Sequence, residues 1–189
     1  NWYISSLASA DVNLSHQELV IGNGASELIS AIISRYVKNI AIPIPSFDEY
    51  INRAYIQNKE VSLYQMDEQY QLNIEEFIHY VSNSGANSAL IINPNNPTGV
   101  VIPRDDICSL LESLEALDLV IVDESFIDFV EIESHPSIMD RINDFPNLVI
   151  IKSLSKSYGI PGLRLGYALS SNKEIISNLR NDVPIWSIN

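Results

Sequence analysis

The chain has 189 residues, 46% hydrophobic and 19% charged, which is the composition of an ordinary folded protein, and we interpret it as one domain over residues 1–189. Its 11 Lys and Arg against 24 Asp and Glu give a net charge of −13, which makes nucleic acid and anionic membrane surfaces unfavourable partners. Cys108 is the one cysteine, which excludes an internal disulfide, and no apolar run approaches the ~20 residues of a membrane span, so we expect a cytoplasmic protein.

Short apolar runs alternate with longer segments of helical spacing, a pattern typical of a mostly parallel sheet covered by helices. We predict strands over residues 38–42, 61–64, 89–92, 119–122, 148–151 and 165–169. We predict helices over residues 26–36, 47–57, 74–81, 104–117 and 172–181. The expected fold class is therefore α/β, with three α/β/α layers around a mostly parallel sheet.

Local signals mark some of the boundaries between these elements. Asn73 followed by Glu76 three residues later is a capping-box pattern, and Pro103 suits a first helical turn. The tract 131–146 contains Pro136 and many polar residues, so we predict that it is a surface excursion.

Ligands in open α/β sheets bind outside the carboxyl ends of the strands, so the loops after the apolar runs are the candidate functional segments. The first such loop is Gly-Asn-Gly-Ala-Ser-Glu at 22–27, before the first predicted helix. Glycines and the free amides of a helix N-terminus favour a phosphate there. A purely structural turn is the alternative, because the loop matches neither a Rossmann fingerprint nor a P-loop.

Two more loops carry polar residues directly after apolar runs. The segment 93–99 reads Asn-Pro-Asn-Asn-Pro-Thr-Gly, where turn chemistry alone could explain the prolines, but a rigidly held Asn96 would also suit an amide that donates to a ligand. Asp123 and Glu124 end another run, and a carboxylate there needs a cation or a donor. The alternative for Asp123 is the N-cap of a helix.

The fourth segment, residues 152–167, concentrates positive charge in a chain that has little of it. It contains Lys152, Lys156 and Arg164 together with three serines. This combination predicts a site for an anion and an amine, although a solvated surface position is the default for any single lysine.

In this order, the four segments resemble class I/II (fold type I) aminotransferases that use pyridoxal phosphate (PLP). They are most similar to histidinol-phosphate aminotransferases and L-threonine-O-3-phosphate decarboxylases, over about residues 19–189. The resemblance implies the cofactor-binding large domain, with PLP as cofactor, an amino acid and a 2-oxo acid as substrates, and a homodimer in the full-length protein. The chain begins at Asn1 without an initiator Met, so we expect a piece of a longer protein without the N-terminal arm and the small domain.

The resemblance also implies a role for individual residues. Lys156 would carry PLP as a Schiff base and move a proton, with Lys152 as the rival lysine. Asp123 would pair with the pyridine nitrogen, Asn96 would donate to the 3′ oxygen, and Phe47 would stack on the ring. The phosphate would be bound by several groups: the backbone of Gly24 and Ala25, the hydroxyls of Ser26, Ser153 and Ser155, and the guanidinium of Arg164.

The chain departs from the family pattern at Phe126, where many members have a tyrosine. The segments 123–129, 160–162 and 186–189 are more similar to the decarboxylase side of the group. Transamination is therefore the first expectation and decarboxylation of L-threonine-O-3-phosphate the second. A non-catalytic domain that binds a phosphate or a nucleotide is the alternative from another class, and a further domain fused upstream is also left open.

Overall fold

The centre of the protein is a seven-stranded mixed sheet, seen in a computed structural model that describes residues 18–131 and 136–184. In chain order the strands are β1 Leu19–Asn23, β2 Asn39–Ile44, β3 Glu60–Gln65, β4 Ser88–Ile92, β5 Leu119–Asp123, β6 Leu148–Ser153 and β7 Leu165–Leu169. Their order across the sheet is β1-β7-β6-β5-β4-β2-β3. The six predicted strands are confirmed, and β1 is added to them.

The strands β2 to β6 run parallel, and β7 runs antiparallel to both of its neighbours. Because β7 reverses, β1 on its far side points the same way as β6. In register, Gly166 of β7 lies opposite both Gly22 of β1 and Ser153 of β6. The carboxyl ends of β1, β4, β5 and β6 therefore meet at one edge of the sheet, which is where the predicted functional loops begin.

Helices cover both faces of the sheet. The helices are α1 Ala25–Tyr36, α2 Asp48–Ile56, α3 Ile74–Ser84, α4 Arg104–Ser113, α5 Leu154–Ser157 and α6 Lys173–Asp182. Alternate strand residues point to opposite faces, so Ala89 and Ile91 of β4 join one buried cluster while Leu90 and Ile92 join the other. The first cluster includes α3 and α4, and the second includes α1, α2 and α6. The predicted three-layer α/β/α class is confirmed.

The helix ends agree with the capping signals at one place and differ from the prediction at another. The Asn73 side chain accepts a hydrogen bond from the Glu76 backbone amide at 3.2 Å, as the capping pattern predicts. Helix α4 ends at Ser113 rather than at residue 117, so that prediction is wrong. The reason is tertiary, since the Asn147 side chain donates to the carbonyls of Leu114 and Leu117 and satisfies the backbone beyond the helix. Within the described segments, no helix is both long and apolar enough to cross a membrane.

The tract 131–146 is not simply a surface excursion, so that prediction is also corrected. A short 3-10 helix spans Met139–Asp144, and Ile138 and Ile142 are fully buried. The buried Glu124 holds this segment, because its carboxylate accepts hydrogen bonds from the Ile138 amide at 2.9 Å and the Ser137 hydroxyl at 2.7 Å. Ile138 and Ile142, four residues apart in a tract with many polar residues, were too weak a pattern to reveal this anchor.

Glu124 should make the stability of the fold depend on pH. Burial raises the pKa of its carboxyl group from 4.5 to about 7, although the hydrogen bonds from Ile138 and Ser137 oppose the change. The folded state therefore binds this proton more tightly than the unfolded state, and the stabilisation is complete below about pH 4.5 and is lost as the pH rises through 7. The free energy of unfolding of the wild type should therefore fall by roughly 3 kcal/mol over this pH range, and Glu124→Gln should abolish this fall.

The measurement is urea unfolding of the full-length protein at a series of pH values between 4 and 8. The exposed Glu112 on α4 gives a matched control, and Glu112→Gln should keep the pH dependence of the wild type. A Glu124→Gln protein that loses stability over this range as steeply as the wild type would contradict the prediction.

Candidate active site

A cavity of about 210 Å³ lies at the sheet edge where the strand ends meet. Nine of the ten residues predicted for the site line this cavity. They are Ala25, Ser26, Phe47, Asn96, Asp123, Ser153, Ser155, Lys156 and Arg164. The tenth, Gly24, adjoins it, because its amide donates a hydrogen bond to the Arg164 carbonyl at 2.7 Å. Residues up to 140 positions apart in the sequence are thus brought together.

Asp123 is the last residue of β5 and presents a buried carboxylate to the cavity, with 4% of its surface exposed. One carboxylate oxygen accepts from the Ser125 amide at 2.9 Å, and the other accepts from the Tyr50 hydroxyl at 2.7 Å. Burial raises the pKa of Asp123, while the hydrogen bonds from Ser125 and Tyr50 lower it. The alternative of a helix N-cap is wrong, since the following 3-10 helix Ile127–Phe129 has Phe126 as its N-cap.

Asn96 lies in a loop that is fixed by its neighbours. The Asn93 side chain bonds the backbone of Ile102 in both directions, and the Asn95 side chain donates to the Pro45 carbonyl at 3.0 Å. The side-chain amide of Asn96 has no hydrogen-bond partner among the described residues, and it lines the cavity. These contacts hold the loop in place and leave the Asn96 amide available to the cavity.

The two rival lysines have different environments. Lys156 is on the short helix α5 and lines the cavity, with its Nζ 5.7 Å from the centroid of the Phe126 ring. Lys152 is 8% exposed, and its amine forms an ion pair with Asp128 at 2.5 Å. The amine of Lys152 is thus engaged and buried, whereas Lys156 is the lysine of the pair that lines the cavity.

Anion-binding groups line another part of the cavity. Helix α1 starts after Gly24 without a side-chain cap, so its first amides, near Ala25 and Ser26, remain available to an anion. Among residues 18–131 and 136–184, the buried hydroxyl of Ser155 has no hydrogen-bond partner. A buried donor of this kind is costly unless a ligand satisfies it. Together with the guanidinium of Arg164, these groups fit a phosphate.

The backbone near Arg164 allows its guanidinium to lie close to the β1–α1 turn. Arg164 has φ of 50°, in the left-handed region that side-chain-bearing residues rarely adopt. A Cβ at Gly24 would lie 2.5 Å from the Arg164 guanidinium. Glycine at position 24 therefore lets the guanidinium lie against the β1–α1 turn, beside the amides that open α1.

Gly166 of β7 should be essential for the close packing of the β1–α1 turn against β7. A Cβ at Gly166 would lie 2.5 Å from the Ala25 nitrogen and 2.8 Å from the Gly24 carbonyl carbon, and these are backbone atoms that cannot rotate away. We expect Gly166→Ala to separate the β1–α1 turn from β7, with a loss of about 1–3 kcal/mol of stability and weaker binding of PLP. Thermal unfolding and PLP titration of the full-length protein measure both effects.

Gly162 provides the matched control for that substitution. A Cβ at Gly162 would have no atom of the described part of the chain within 4 Å, so Gly162→Ala should keep the stability and the PLP affinity of the wild type. Equal behaviour of the two alanine variants would contradict a role for close backbone contact at Gly166.

Tyr50 and the backbone amide of Ser125 are functional candidates that the sequence patterns did not single out. Tyr50 lies three residues after Phe47 on the buried face of α2, where an aromatic residue normally indicates core packing. Ser125 was considered only as part of the segment 123–129, without a role of its own. The Ser125 contact is local, because an Asp side chain often accepts from the backbone amide two residues later. The Tyr50 contact has no sequence signal, because it depends on where α2 lies against the end of β5.

Comparison with known proteins gives a consistent result. The family model for aminotransferase class I and II matches residues 3–187. The CMP-5'-(3-aminopropyl)phosphonate synthase of Streptomyces rubellomurinus is 38% identical and covers 92% of this chain, which spans 27% of that protein. The L-serine phosphate decarboxylase of Campylobacter jejuni is 35% identical over 99% of this chain, which spans 49% of that protein. The chain thus spans half the length of these relatives or less.

Solved structures show the same similarity in three dimensions. Histidinol-phosphate aminotransferase from Clostridium acetobutylicum superposes with a TM-score of 0.89 at 31% identity, over 100% of this chain and 55% of that one. L-threonine-O-3-phosphate decarboxylase from Porphyromonas gingivalis has a TM-score of 0.82 at 25% identity, over 100% and 55%. Histidinol-phosphate aminotransferase from Sinorhizobium meliloti, in complex with pyridoxal-5'-phosphate, has a TM-score of 0.84 at 20% identity, over 95% and 50%.

Proposed function

Because the chain belongs to the class I and II aminotransferase family, which depends on PLP, we propose that it is the PLP-binding large domain of an aminotransferase. The proposed reaction transfers an amino group between an amino acid, phosphorylated or not, and a 2-oxo acid. The observation that carries the proposal is one cavity that contains a free lysine, a buried carboxylate and an unsatisfied anion site.

The anion site would hold the phosphate group of the cofactor. The backbone amide of Ala25 and the hydroxyl of Ser26 lie at the N-terminus of α1, where the helix dipole favours a negative charge. The Gly24 amide, predicted as a further phosphate donor, is instead bonded to the Arg164 carbonyl at 2.7 Å, so Gly24 contributes the turn rather than a hydrogen bond. The unpaired Ser155 hydroxyl would complete its hydrogen bonding there, with Ser153 beside it. The guanidinium of Arg164 would supply the charge partner in a chain that is otherwise strongly acidic.

The ring of the cofactor would lie between Phe47 and the end of β5. When bound, PLP supplies an electron sink that stabilises negative charge at the substrate Cα. Asp123 would keep the ring nitrogen protonated, Asn96 would donate its free amide to the ring oxygen, and Phe47 would cover one face of the ring. In this arrangement Asp123, Asn96 and Phe47 would together hold the ring in place.

Lys156 would have two tasks. Its primary amine would hold the cofactor covalently and release it to the amino group of the substrate. The freed amine would then move a proton at the substrate Cα. Phe126, whose ring lies beside this amine, brings no hydrogen-bonding atom that could compete for it.

The substrate carboxylate must be bound by other groups. In the described part of the chain, the cations that line the cavity are Lys156 and Arg164, and the proposal assigns both to the cofactor. We therefore expect the carboxylate-binding cation in a part of the full-length protein beyond this cavity wall. Substrate choice depends on that part as well.

Decarboxylation of a phosphorylated amino acid is the second candidate. It is favoured by Phe126 in the cavity wall and by the 35% identity to a serine phosphate decarboxylase over 99% of the chain. The Trp-Ser-Ile-Asn segment at 186–189, which also resembles the decarboxylases, lies outside the described residues. Both candidates use the same cofactor site and differ in which bond at Cα is broken.

One assay separates the candidates. The full-length protein is loaded with PLP and given O-phospho-L-serine, O-phospho-L-threonine or histidinol phosphate, each with and without 2-oxoglutarate. Transamination gives glutamate only when 2-oxoglutarate is present and releases no carbon dioxide. Release of carbon dioxide without 2-oxoglutarate selects decarboxylation, and tight nucleotide binding without any uptake of PLP selects the non-catalytic alternative.

A further inference from the structure

The first turn of α2 contributes two aromatic residues to the region of the cavity. Phe47 is the N-cap of the helix and lines the cavity, whereas Tyr50 is fully buried three residues later. Positions three apart lie on the same side of a helix, so one turn brings both side chains toward the end of β5. The Tyr50 hydroxyl meets the Asp123 carboxylate at 2.7 Å, across 73 residues of sequence.

The direction of this hydrogen bond is fixed. Burial and the neighbouring Asp123 raise the pKa of Tyr50 well above 10, so the phenol keeps its proton and donates it. Asp123 is then the acceptor, with the Ser125 amide on its other oxygen. Each carboxylate oxygen has two acceptor sites, so Asp123 retains acceptor capacity for a donor in the cavity.

The hydrogen bond from Tyr50 opposes the effect of burial on the Asp123 carboxylate. Desolvation raises the pKa of Asp123 and favours its neutral form, whereas the hydrogen bonds from Ser125 and Tyr50 favour the ionised form. Tyr50 is the member of this pair that can be altered without changing the backbone. Removal of its hydroxyl leaves the carboxylate buried with one fewer donor, held by its hydrogen bonds with Ser125.

We propose that Tyr50 is a positioning residue that acts through Asp123 to orient the carboxylate and keep it ionised, so that the ring nitrogen of bound PLP stays protonated. This inference rests on the proposed function, because it assumes that Asp123 faces that nitrogen. It links the ring-stacking Phe47 and the nitrogen-binding Asp123 through a single helical turn. A shift of α2 would then change both contacts with the ring at once.

A purely structural role predicts a different behaviour. Tyr50 also fills space between α2 and the sheet in the second buried cluster, and any residue that fills it would then serve. Tyr50→Phe keeps the ring and removes the hydroxyl, and Tyr50→Leu removes both. Tyr55 is on the same helix and is 58% exposed, so Tyr55→Phe removes a hydroxyl without touching the site.

The test measures PLP affinity and the nitrogen-15 signal of the ring in full-length protein loaded with labelled PLP. We expect Tyr50→Phe to bind PLP about tenfold more weakly, the loss expected for one hydrogen bond to an ionised group. Its ring-nitrogen signal should move toward that of unprotonated pyridine. Tyr50→Leu should show the same displacement on whatever fraction remains folded, and Tyr55→Phe should match the wild type.

The possible outcomes distinguish a failure of the positioning role of Tyr50 from a failure of the proposed PLP-dependent function. A wild-type signal and affinity in Tyr50→Phe overturns the positioning role alone, even if Tyr50→Leu unfolds at a lower temperature. A displaced signal in Tyr50→Phe at an unchanged unfolding temperature supports it, since a space-filling role cannot move the ring-nitrogen signal. Failure of the wild type to take up PLP overturns the proposed function first, before any variant is compared.

Discussion

Lys156→Ala is expected to abolish turnover and covalent retention of PLP. The rate should fall by about 10⁴-fold, because the substitution removes both the amine that holds the cofactor and the group that moves the proton. The cavity should still admit PLP, since the anion site at Gly24, Ser155 and Arg164 does not involve this amine. Borohydride reduction of the wild type followed by peptide mapping should place the cofactor on residue 156.

Two variants control for charge and for general effects of substitution. Lys156→Arg retains the positive charge, but a guanidinium cannot take over the covalent role, so it should be as inactive as Lys156→Ala. Lys173→Ala, at an exposed position in the first turn of α6, should keep full activity. A label on Lys152 instead would contradict the assignment and would require the ion pair between Lys152 and Asp128 to open.

The strands, and the meeting of the four segments at one edge of the sheet, could be predicted from the sequence. The reason is physical. Strands buried on both faces are continuous apolar runs, and the residue that ends such a run, such as Asp123 after β5, lies at the sheet edge where ligands bind. The order of the four segments then identified the family from which the cofactor follows. Asn96 and Ser155 are recognisable in the same way, because each belongs to a short local string.

Contacts that depend on the packing of distant elements could not be predicted. The position of Tyr50 against Asp123 depends on how α2 lies on the sheet, and its place in the sequence indicates only a buried aromatic residue. Glu124 was read with Asp123 as one acidic pair, yet the two carboxylates point to different partners. Adjacent residues at the end of a strand face opposite sides, so Asp123 meets the cavity while Glu124 anchors Ser137 and Ile138.

That difference makes Glu124 a matched control for a substitution of Asp123. Asp123→Asn keeps the size of the side chain and an oxygen that can accept from Tyr50, but it removes the charge that would hold the proton on the ring nitrogen. We expect kcat/KM to fall by roughly 10²–10³-fold, comparable to the loss of one preorganised electrostatic contact with the reacting charge. The unfolding temperature should change little, because burial of the ionised carboxylate is itself costly.

Glu124→Gln is the comparison that decides whether the charge or its position matters. Both variants neutralise a buried acid at the end of β5, and only Asp123 lines the cavity. At pH 8, above the pKa of about 7 that burial gives Glu124, Glu124→Gln should retain activity within a few fold of the wild type while Asp123→Asn does not. Steady-state kinetics on the substrate selected by the function assay measures this. Equal losses in the two variants would mean that the negative charge acts through the fold of the strand end, and the role assigned to Asp123 toward the ring nitrogen would then be wrong.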